Sequence, residues 1–151
     1  MTTPEVDVRQ ATAADLDLLV PLFDAYRQFY RLPSDPERAR RFLLERFEHN
    51  QSVIFLSFEG AAAIGFTQLY PSFSSGAMAR NFILNDLFVA PEARGRGAGS
   101  ALLHAAAAYG RLSGALRLVL STELTNTMAQ SLYERTGWTR DTAFCVYQLG
   151  L

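Results

Sequence analysis

A glycine-rich segment near the middle of the chain carries residue types that bind phosphate. It runs from Arg94 to Gly99 and precedes a stretch rich in alanine and leucine. Glycine lets backbone amides approach a ligand closely and adopt positive φ, and a helix start adds unpaired N–H groups and the positive end of the helix dipole. With the mobile charges of Arg94 and Arg96, the segment predicts a phosphate site. The alternative is a flexible turn that is rich in glycine and arginine by chance.

Two other phosphate-binding motifs do not match this segment. The P-loop needs a lysine, and all 14 basic residues of the chain are arginine. The dinucleotide-binding motif directly follows a strand and needs a third glycine, where this chain has Leu102. A nicotinamide oxidoreductase is therefore disfavoured, and it stays open only as an alternative that binding of NAD would reveal.

A carboxylate interrupts the otherwise apolar strand that is predicted just before the glycine-rich segment. Asp86 stands there, next to Asn85. A carboxylate in this position can hold a cationic amine or relay its proton, and the alternative is an ion pair with one of the arginines. Because strand side chains alternate between faces, we expect Asn85 and Asp86 to point to opposite sides of the sheet.

Other reactive side chains are scarce. The chain has one cysteine, Cys145, and two histidines, His49 and His104. A zinc site of Cys and His takes about four ligands, so no metal site is predicted. We interpret Cys145 as a small buried residue of a terminal strand, His104 as structural and His49 as a solvent-facing residue at a helix end. A single thiol is typical of a reducing compartment.

Length and composition favour a single domain of residues 1–151. Hydrophobic residues make up 49% of the chain and charged residues 19%, which excludes a disordered chain. The net charge of −1 indicates no nucleic acid and no anionic membrane as partner. The chain has no apolar run of roughly 20 residues and no signal-peptide pattern at its start, so we expect a cytoplasmic protein.

Hydrophobic periodicity predicts the elements that position these residues. A capping box at 12–15 and a Pro–Glu start at 34–37, with Ser34 as the cap, begin the first two helices. Residues 71–76 are predicted as a loop and the alternating residues 144–149 as closing strands. Residues 80–121 are predicted as a right-handed crossover between two parallel strands. The other predicted strands are 5–10, 52–58 and 62–70, and the helices are 16–30, 34–49, 97–112 and 126–136.

Two motifs on these elements together resemble the GNAT superfamily of N-acetyltransferases. The first pattern, Arg/Gln-x-x-Gly-x-Gly/Ala, is met by Arg94, Gly97 and Gly99. The second, Asn-x-x-Ala-x-x-Leu-Tyr-x-x-x-Gly-Phe, begins at Asn126 and ends with Trp138 in place of phenylalanine. The resemblance covers essentially the whole chain. It implies an α/β (α+β) GNAT fold, with a central mixed twisted sheet of about six or seven strands and four helices, in the order β-α-α-β-β-β-α-β-α-β-β.

The resemblance also implies a cofactor, acetyl-CoA, in the cleft where two parallel strands splay apart. Its pyrophosphate would lie on the amides of residues 94–99, and its pantetheine arm would pair with the backbone of residues 87–89. A backbone N–H near Val89 would stabilise the oxyanion. The implied cofactor-binding residues are Leu87, Phe88, Val89, Arg94, Gly95, Arg96, Gly97, Ala98, Gly99, Ser100, Asn126, Ala129 and Tyr133.

The implied activity is transfer of the acetyl group to a primary amine by direct attack in a ternary complex. Tyr133, at the family's tyrosine position, is the general acid that protonates the departing thiolate, and its alternative is a packed helix residue. Asp86 is the second catalytic candidate. Asn126 is expected to bond the cofactor arm, and the alternative, a helix N-cap, is compatible with that role.

The acceptor is expected to be a small amine, a polyamine, an amino acid or a lysine side chain. Residues 85–89 resemble the diamine-acetylating branch, which has glutamate where Asn85 stands, and residues 70–74 resemble a yeast histone/polyamine-acetylating branch. Core packing is the alternative for Tyr26 and Tyr30, the aromatic candidates of the first helix. We expect a homodimer, and the alternative function is a CoA-binding sensor or interaction module without turnover. The candidate substrate-binding residues are Tyr26, Tyr30, Tyr70, Phe73, Asn85 and Asp86.

Overall fold

The computed structural model describes residues 5–151. The first four residues, on which the expectation of a missing signal peptide partly depends, lie outside that range. The chain divides into two compact units, one that ends at Ser121 and one that spans Thr122–Leu151.

The first unit is built on a five-stranded mixed sheet. The strands are β1 (Val6–Gln10), β2 (Val53–Glu59), β3 (Ala62–Ser74), β4 (Ala79–Val89) and β5 (Leu118–Val119). They lie in the sheet in chain order, with β1 to β4 antiparallel and β5 parallel to β4. The α/β class is thus confirmed, and so is the predicted parallel pairing of the two strands within residues 80–121.

Three helices belong to this unit, α1 (Leu16–Phe29), α2 (Pro36–Glu48) and α3 (Ala98–Leu112). A fourth, α4 (Thr127–Arg135), belongs to the second unit. These bounds agree with the predicted helices because each end has a local signal. The capping box forms as predicted, since the Thr12 N–H donates to Asp15 Oδ2 at 2.8 Å.

Both faces of the sheet are covered by aromatic side chains from the helices. On one face Phe66 of β3 lies 6.0 Å from Phe23 of α1, measured between ring centroids. On the other face Phe55 of β2 and Phe82 of β4 lie 5.8 Å and 5.6 Å from Tyr109 of α3. The sheet is therefore buried from both sides, as in other α/β folds.

The start of α2 differs from the prediction that Ser34 caps it. Asp35 is the N-cap and accepts from the Arg38 N–H at 3.1 Å. Ser34 instead donates to the buried Asp24 at 2.6 Å, and the Asp35 N–H donates to the same carboxylate at 2.8 Å. Burial raises the pKa of Asp24, but these hydrogen bonds and nearby Arg27 outweigh it and leave the pKa lowered.

Residues 71–74, which were predicted to belong to a loop, continue β3 instead. Pro71 stands opposite Phe82 of β4. On its other side the pairing of β3 with β2 ends at Leu69, opposite Val53. Pro71 therefore occupies an edge position, where a missing N–H costs no ladder bond.

The closing strands predicted over 144–149 do not form, so residues 5–151 contain five strands where about six or seven were expected. Residues 139–151 contain no helix or strand. Asp141 Oδ1 accepts from the N–H groups of Ala143 and Phe144 in a local turn. Apolar alternation alone does not make a strand, because the ladder needs a neighbouring strand. Cys145 lies in this segment and is exposed, so its interpretation as a buried residue is wrong.

Candidate functional site

Strand β4 contains a bulge at Asn85. Gln68 of β3 pairs with Asp86, whereas the next residue, Leu69, pairs with Leu84. Asn85 is thus the extra residue on β4, with no partner of its own across the ladder. Such a bulge bends the strand and redirects the side chains beside it.

Ring contacts on either side of the bulge show its effect. Phe82 packs on Tyr109 of α3, but Phe88 lies 6.3 Å from Tyr26 of α1. In an unbroken strand, two residues six positions apart would lie on the same face. The bulge therefore moves Asp86, which shares a face with Phe88, to the α1 side of the sheet.

The prediction that Asn85 and Asp86 point to opposite faces is wrong for this reason. Asn85 Nδ2 donates to Asp86 Oδ1 at 3.1 Å. Because the extra residue interrupts the alternation, two consecutive side chains can reach the same side.

The Asp86 carboxylate is buried among neutral hydrogen-bond donors. The residue is 3% exposed, and Oδ2 accepts from Gln68 Nε2 at 2.6 Å. Burial raises the pKa of Asp86, and the hydrogen bonds from Gln68, Tyr26 and Asn85 oppose that rise. The alternative of an arginine partner is not observed, since none of the ion pairs within residues 5–151 involves Asp86.

Two tyrosines border this carboxylate. The Tyr26 hydroxyl donates to the backbone oxygen of Asn85 at 3.5 Å, and its ring lies 5.1 Å from that of Tyr30. Burial and the charge of Asp86 raise the pKa of Tyr26, and the same two causes raise the pKa of Tyr70 to about 12. Both phenols therefore stay protonated at neutral pH.

The structure thus gathers most of the predicted substrate-side residues into one group, which we call the carboxylate–phenol cluster. Phe73 does not join it. Phe73 is 70% exposed, and its ring lies 5.6 Å from the guanidinium of Arg80, farther along β3 than the cluster. The cluster consists of Tyr26, Tyr30, Gln68, Tyr70, Asn85 and Asp86.

Sequence reasoning missed two residues at this site. Gln68 is fully buried, opposite Asp86 on the neighbouring strand. Its signal is a polar residue inside the apolar run of β3. Arg46 of α2 is the second, and its positive charge lowers the pKa of Tyr70 against the larger effects of burial and Asp86. Nothing in the spacing of α2 distinguishes Arg46 from the other arginines of that helix.

The glycine-rich segment forms the start of α3. Gly95 and Gly97 have φ of +79° and +88°, and a Cβ added at either would meet no atom within 4 Å. The first intrahelical bond runs from the Ala101 N–H to Gly97 O at 2.9 Å. The N–H groups of Ala98, Gly99 and Ser100 precede it, so they have no acceptor within the helix and suit an anion.

The two arginines of this segment are held by the protein rather than mobile as expected. Arg94 Nε donates to Val89 O at 2.9 Å, and the guanidinium lies 5.5 Å over the ring of Phe29. Arg96 Nη1 donates to both carboxylate oxygens of Glu59, at 2.9 and 2.8 Å. Both guanidinium groups are therefore fixed near the start of α3 by contacts within the protein.

An open strand edge leads to this helix start. Pairing of β4 with β5 is confined to Phe82 with Leu118 and Ile83 with Val119. Within residues 5–151, the outer edge of β4 from residue 84 to residue 89 has no strand partner. An extended chain can add to such an edge by backbone hydrogen bonds. An anion site at the end of an open strand edge suits an anionic group that carries an extended chain, which agrees with the phosphate and pantetheine arm that the resemblance implies.

The second unit contains the downstream motif. Asn126 is the N-cap of α4, and its Oδ1 accepts from the Ala129 N–H at 3.2 Å, which confirms the structural role considered for it. The ring of Tyr133 lies 6.0 Å from that of Trp138. Gly137 ends the helix with φ of +97°, a conformation that favours glycine.

Within residues 5–151, the side chains form no candidate metal site and no helix is suited to span a membrane. There, no three side chains among His, Cys, Asp and Glu come together in a way that suits a metal ion. In the same range, no helix combines the length and apolar character needed to span a membrane.

Comparison with known proteins points in one direction. The family model described as Acetyltransferase (GNAT) family matches residues 19–138. An uncharacterized N-acetyltransferase of Bacillus subtilis strain 168, YhfO, is 49% identical over 146 residues, which cover 97% of this chain and 98% of the relative. A crystal structure of a probable acetyltransferase has a TM-score of 0.91 at 43% identity, over 96% of this chain and 97% of its own. An aminoglycoside N-acetyltransferase in complex with CoA shares the fold, with a TM-score of 0.82 at 19% identity over 98% of this chain and 97% of its own.

Proposed function

This chain belongs to the GNAT family of acetyltransferases, and on that premise we propose that it transfers the acetyl group of acetyl-CoA to a primary amine. A primary amine is proposed as the acetyl acceptor because the buried Asp86 carboxylate has only neutral hydrogen-bond donors around it. An ammonium group is the partner that such a carboxylate lacks.

Residues at the start of α3 are proposed to hold acetyl-CoA, which supplies the acetyl thioester. The backbone amides of Ala98, Gly99 and Ser100 bind the pyrophosphate. Arg94 and Arg96 lie on either side of it, held by their contacts with Val89 and Glu59. The open edge of β4 at residues 87–89 pairs with the pantetheine arm. Among homologous folds, the CoA complex of an aminoglycoside N-acetyltransferase supports this assignment.

The proposed chemistry needs one base and one acid. Asp86 holds the ammonium and accepts its proton, so that the neutral amine can attack the thioester carbonyl. The C–N bond forms and the C–S bond breaks, while a backbone N–H near Val89 stabilises the charge on oxygen. Tyr133 donates its proton to the departing sulfur, and the amide nitrogen loses its surplus proton to solvent. The products are an acetamide and free CoA thiol.

The proposal extends to the organisation of the molecule. We propose that residues 1–151 act as one acetyltransferase domain, because the family match crosses the boundary between the two compact units. A cytoplasmic location and a homodimer stay predictions, and light scattering of the purified protein tests the second.

Thiol release in the presence of acetyl-CoA and a panel of amines tests the proposed function. Amine-dependent release supports an enzyme, whereas binding of acetyl-CoA without release by any amine supports the alternative, a CoA-binding sensor. A rise of the melting temperature with CoA but not with NAD separates both from a nicotinamide enzyme.

A further inference from the structure

We propose that the acceptor carries a carboxylate as well as its amine, with the amine at Asp86 and the carboxylate at Arg46. This inference rests on the proposed function and narrows its acceptor from any primary amine to an amino acid. It is carried by an unpaired N–H of Arg46. A run of aromatic contacts also leads from Arg46 to Tyr26, which bonds to Asn85 beside the Asp86 carboxylate.

The Asp86 end is built for one positive charge. Its oxygens accept from Gln68 Nε2 and Asn85 Nδ2, and both donors are uncharged amides. The bulge at Asn85 turns this carboxylate toward α1. A single buried carboxylate balances one ammonium and leaves nothing for a second.

The Arg46 end has an unused donor. Its Nη2 contacts Glu45 at 3.1 Å, but the Glu45 side chain is 59% exposed whereas that of Arg46 is only 19% exposed. Arg46 Nε is buried and has no acceptor. The guanidinium lies 4.3 Å over the ring of Phe42, which fixes its plane. A buried N–H without an acceptor costs free energy, and a carboxylate that pairs with the planar guanidinium on its Nε side would remove that cost.

Tyr70 connects the two ends. Its phenol responds to both charges, since Asp86 raises its pKa and Arg46 lowers it. Tyr70 and Gln68 are two positions apart on β3 and share the face that α1 and α2 cover. Both charged groups therefore act on the phenol of Tyr70.

A row of aromatic rings, which we call the aromatic floor, leads from Arg46 toward Asp86 and consists of Phe42, Phe23 and Tyr26. Phe42 stacks on Phe23 at 5.9 Å, and Phe23 lies 6.2 Å from Tyr26. Tyr26 in turn bonds to Asn85 beside the carboxylate. Methylene groups between an amine and a carboxylate can pack on such a floor, but a second ammonium would meet the charge of Arg46. The arrangement thus disfavours diamines and polyamines.

Matched acceptors test this directly. The panel pairs each ω-amino acid with the alkylamine that lacks its carboxylate, such as 4-aminobutyrate with propylamine and 5-aminopentanoate with butylamine. 1,4-Diaminobutane adds the second cation. We expect kcat/KM to be roughly ten- to hundredfold higher for the best amino acid than for its alkylamine, the range of one charge-assisted hydrogen bond.

Variants of α2 assign the preference to one side chain. Arg46→Gln removes the charge, and the preference should fall to near unity through a higher KM for the amino acid only. Arg46→Lys keeps the positive charge but lacks the planar guanidinium that binds a carboxylate at two points, so it should give an intermediate preference. Arg41→Gln is the matched control, because Arg41 lies on the same helix, is 63% exposed and pairs with Glu37. It should retain the wild-type preference.

The outcomes separate this inference from the proposed function. Equal turnover of amino acids and alkylamines, or a preference for the diamine, overturns the inference and leaves the acetyltransferase standing. An unchanged preference in Arg46→Gln also overturns it. If the protein binds acetyl-CoA but none of the acceptors in the panel causes thiol release, both the inference and the proposed function are contradicted.

Discussion

Gln68 and Asp86 face each other across β3 and β4, and their side chains are joined by a 2.6 Å hydrogen bond from Nε2 to Oδ2. Both residues are buried, and Oε1 of Gln68 has no partner. Burial raises the pKa of Asp86, and the hydrogen bond from Gln68 opposes that rise by stabilising the charged form of the carboxylate.

Replacing Gln68 should shift the pH dependence of the enzyme. Without its hydrogen bond, the pKa of Asp86 should rise further above its ordinary value, because burial is then opposed only by Tyr26 and Asn85. Asp86 must be ionised to hold an ammonium, so the acid limb of kcat/KM should move to higher pH in Gln68→Leu. A pH–rate profile of both proteins measures this shift.

Thr67→Val is the matched control for this prediction. Thr67 neighbours Gln68 and is also buried, but its hydroxyl donates to the backbone oxygen of Asp86 at 2.8 Å rather than to the carboxylate. It should lose stability, on the order of 1–3 kcal/mol for a buried acceptor left unpaired, with no movement of the acid limb. An acid limb that moves equally in both variants contradicts the role given to Gln68.

Asp86→Asn should separate stability from function. The folded pKa of Asp86 lies above its ordinary value of 3.8, so the protonated form is favoured by folding. Stability from this group is fully present below that ordinary value and is lost as pH rises through the folded pKa. The uncharged variant should therefore be more stable than the wild type at neutral pH, and the difference should disappear in acid. Urea unfolding at several pH values checks this sign.

The same variant should bind cationic acceptors poorly. Its KM for amines should rise, and its pH–rate profile should flatten if the carboxylate also relays the proton. An amide of the same shape keeps the packing, so the affinity for acetyl-CoA is the internal control. A variant that is less stable at neutral pH and acetylates every amine normally would make Asp86 a structural residue.

The glycines at the start of α3 yield a prediction about CoA. Gly97 has φ of +88°, which a β-branched residue adopts only with strain, although the space around it is open. Gly97→Val should therefore displace the helix start and weaken CoA binding more than Arg94→Ala does, since the Arg94 guanidinium is engaged with Val89 and Phe29. Calorimetric titration with CoA compares the two.

A glycine outside the site controls for general effects of adding a side chain. Gly76 lies in the β3–β4 turn, and a Cβ added there meets nothing within 4 Å. Gly76→Val should bind CoA like the wild type. Equal CoA affinity in Gly97→Val would remove the glycine-rich segment as the phosphate site.

Local signals predicted the helices and the glycine-rich start of α3, because caps and breakers act within a few residues of where they stand. The bulge at Asn85 left no such signal. Both faces of the sheet are covered by helices, so apolar residues continue at Phe82, Leu84 and Phe88 on either side of the inserted position. The alternation appears unbroken in the sequence while the strand changes face.

The missed side chains share a different cause. Gln68 gains its role from a hydrogen bond between β3 and β4, and Arg46 of α2 gains its role from the effect of its charge on Tyr70 of β3. In each case the two residues are far apart in the sequence. No periodicity within one element encodes such a contact. The prediction of closing strands was wrong for the opposite reason. Residues 144–149 have the alternating pattern of a strand, but no neighbouring strand pairs with them.

The proposed role of Tyr133 as general acid can be tested by one substitution. Removing its hydroxyl in Tyr133→Phe keeps the ring, which packs 6.0 Å from Trp138, so the fold of α4 should be preserved. If the hydroxyl protonates the departing thiolate, kcat should fall by roughly 10²–10⁴-fold. Affinity for acetyl-CoA should stay unchanged, because the proton is needed only as the C–S bond breaks.

Tyr109→Phe serves as the comparison for Tyr133→Phe. Its ring packs between Phe55 and Phe82 on the far face of the sheet, and loss of its hydroxyl should leave kcat intact. A further check uses a thioester whose thiol is more acidic than CoA, since a better leaving group needs less protonation. The defect of Tyr133→Phe should shrink with that substrate if the hydroxyl is the general acid. A defect of the same size with both thioesters, or full kcat with acetyl-CoA, would leave water as the proton donor and Tyr133 as a packing residue of α4.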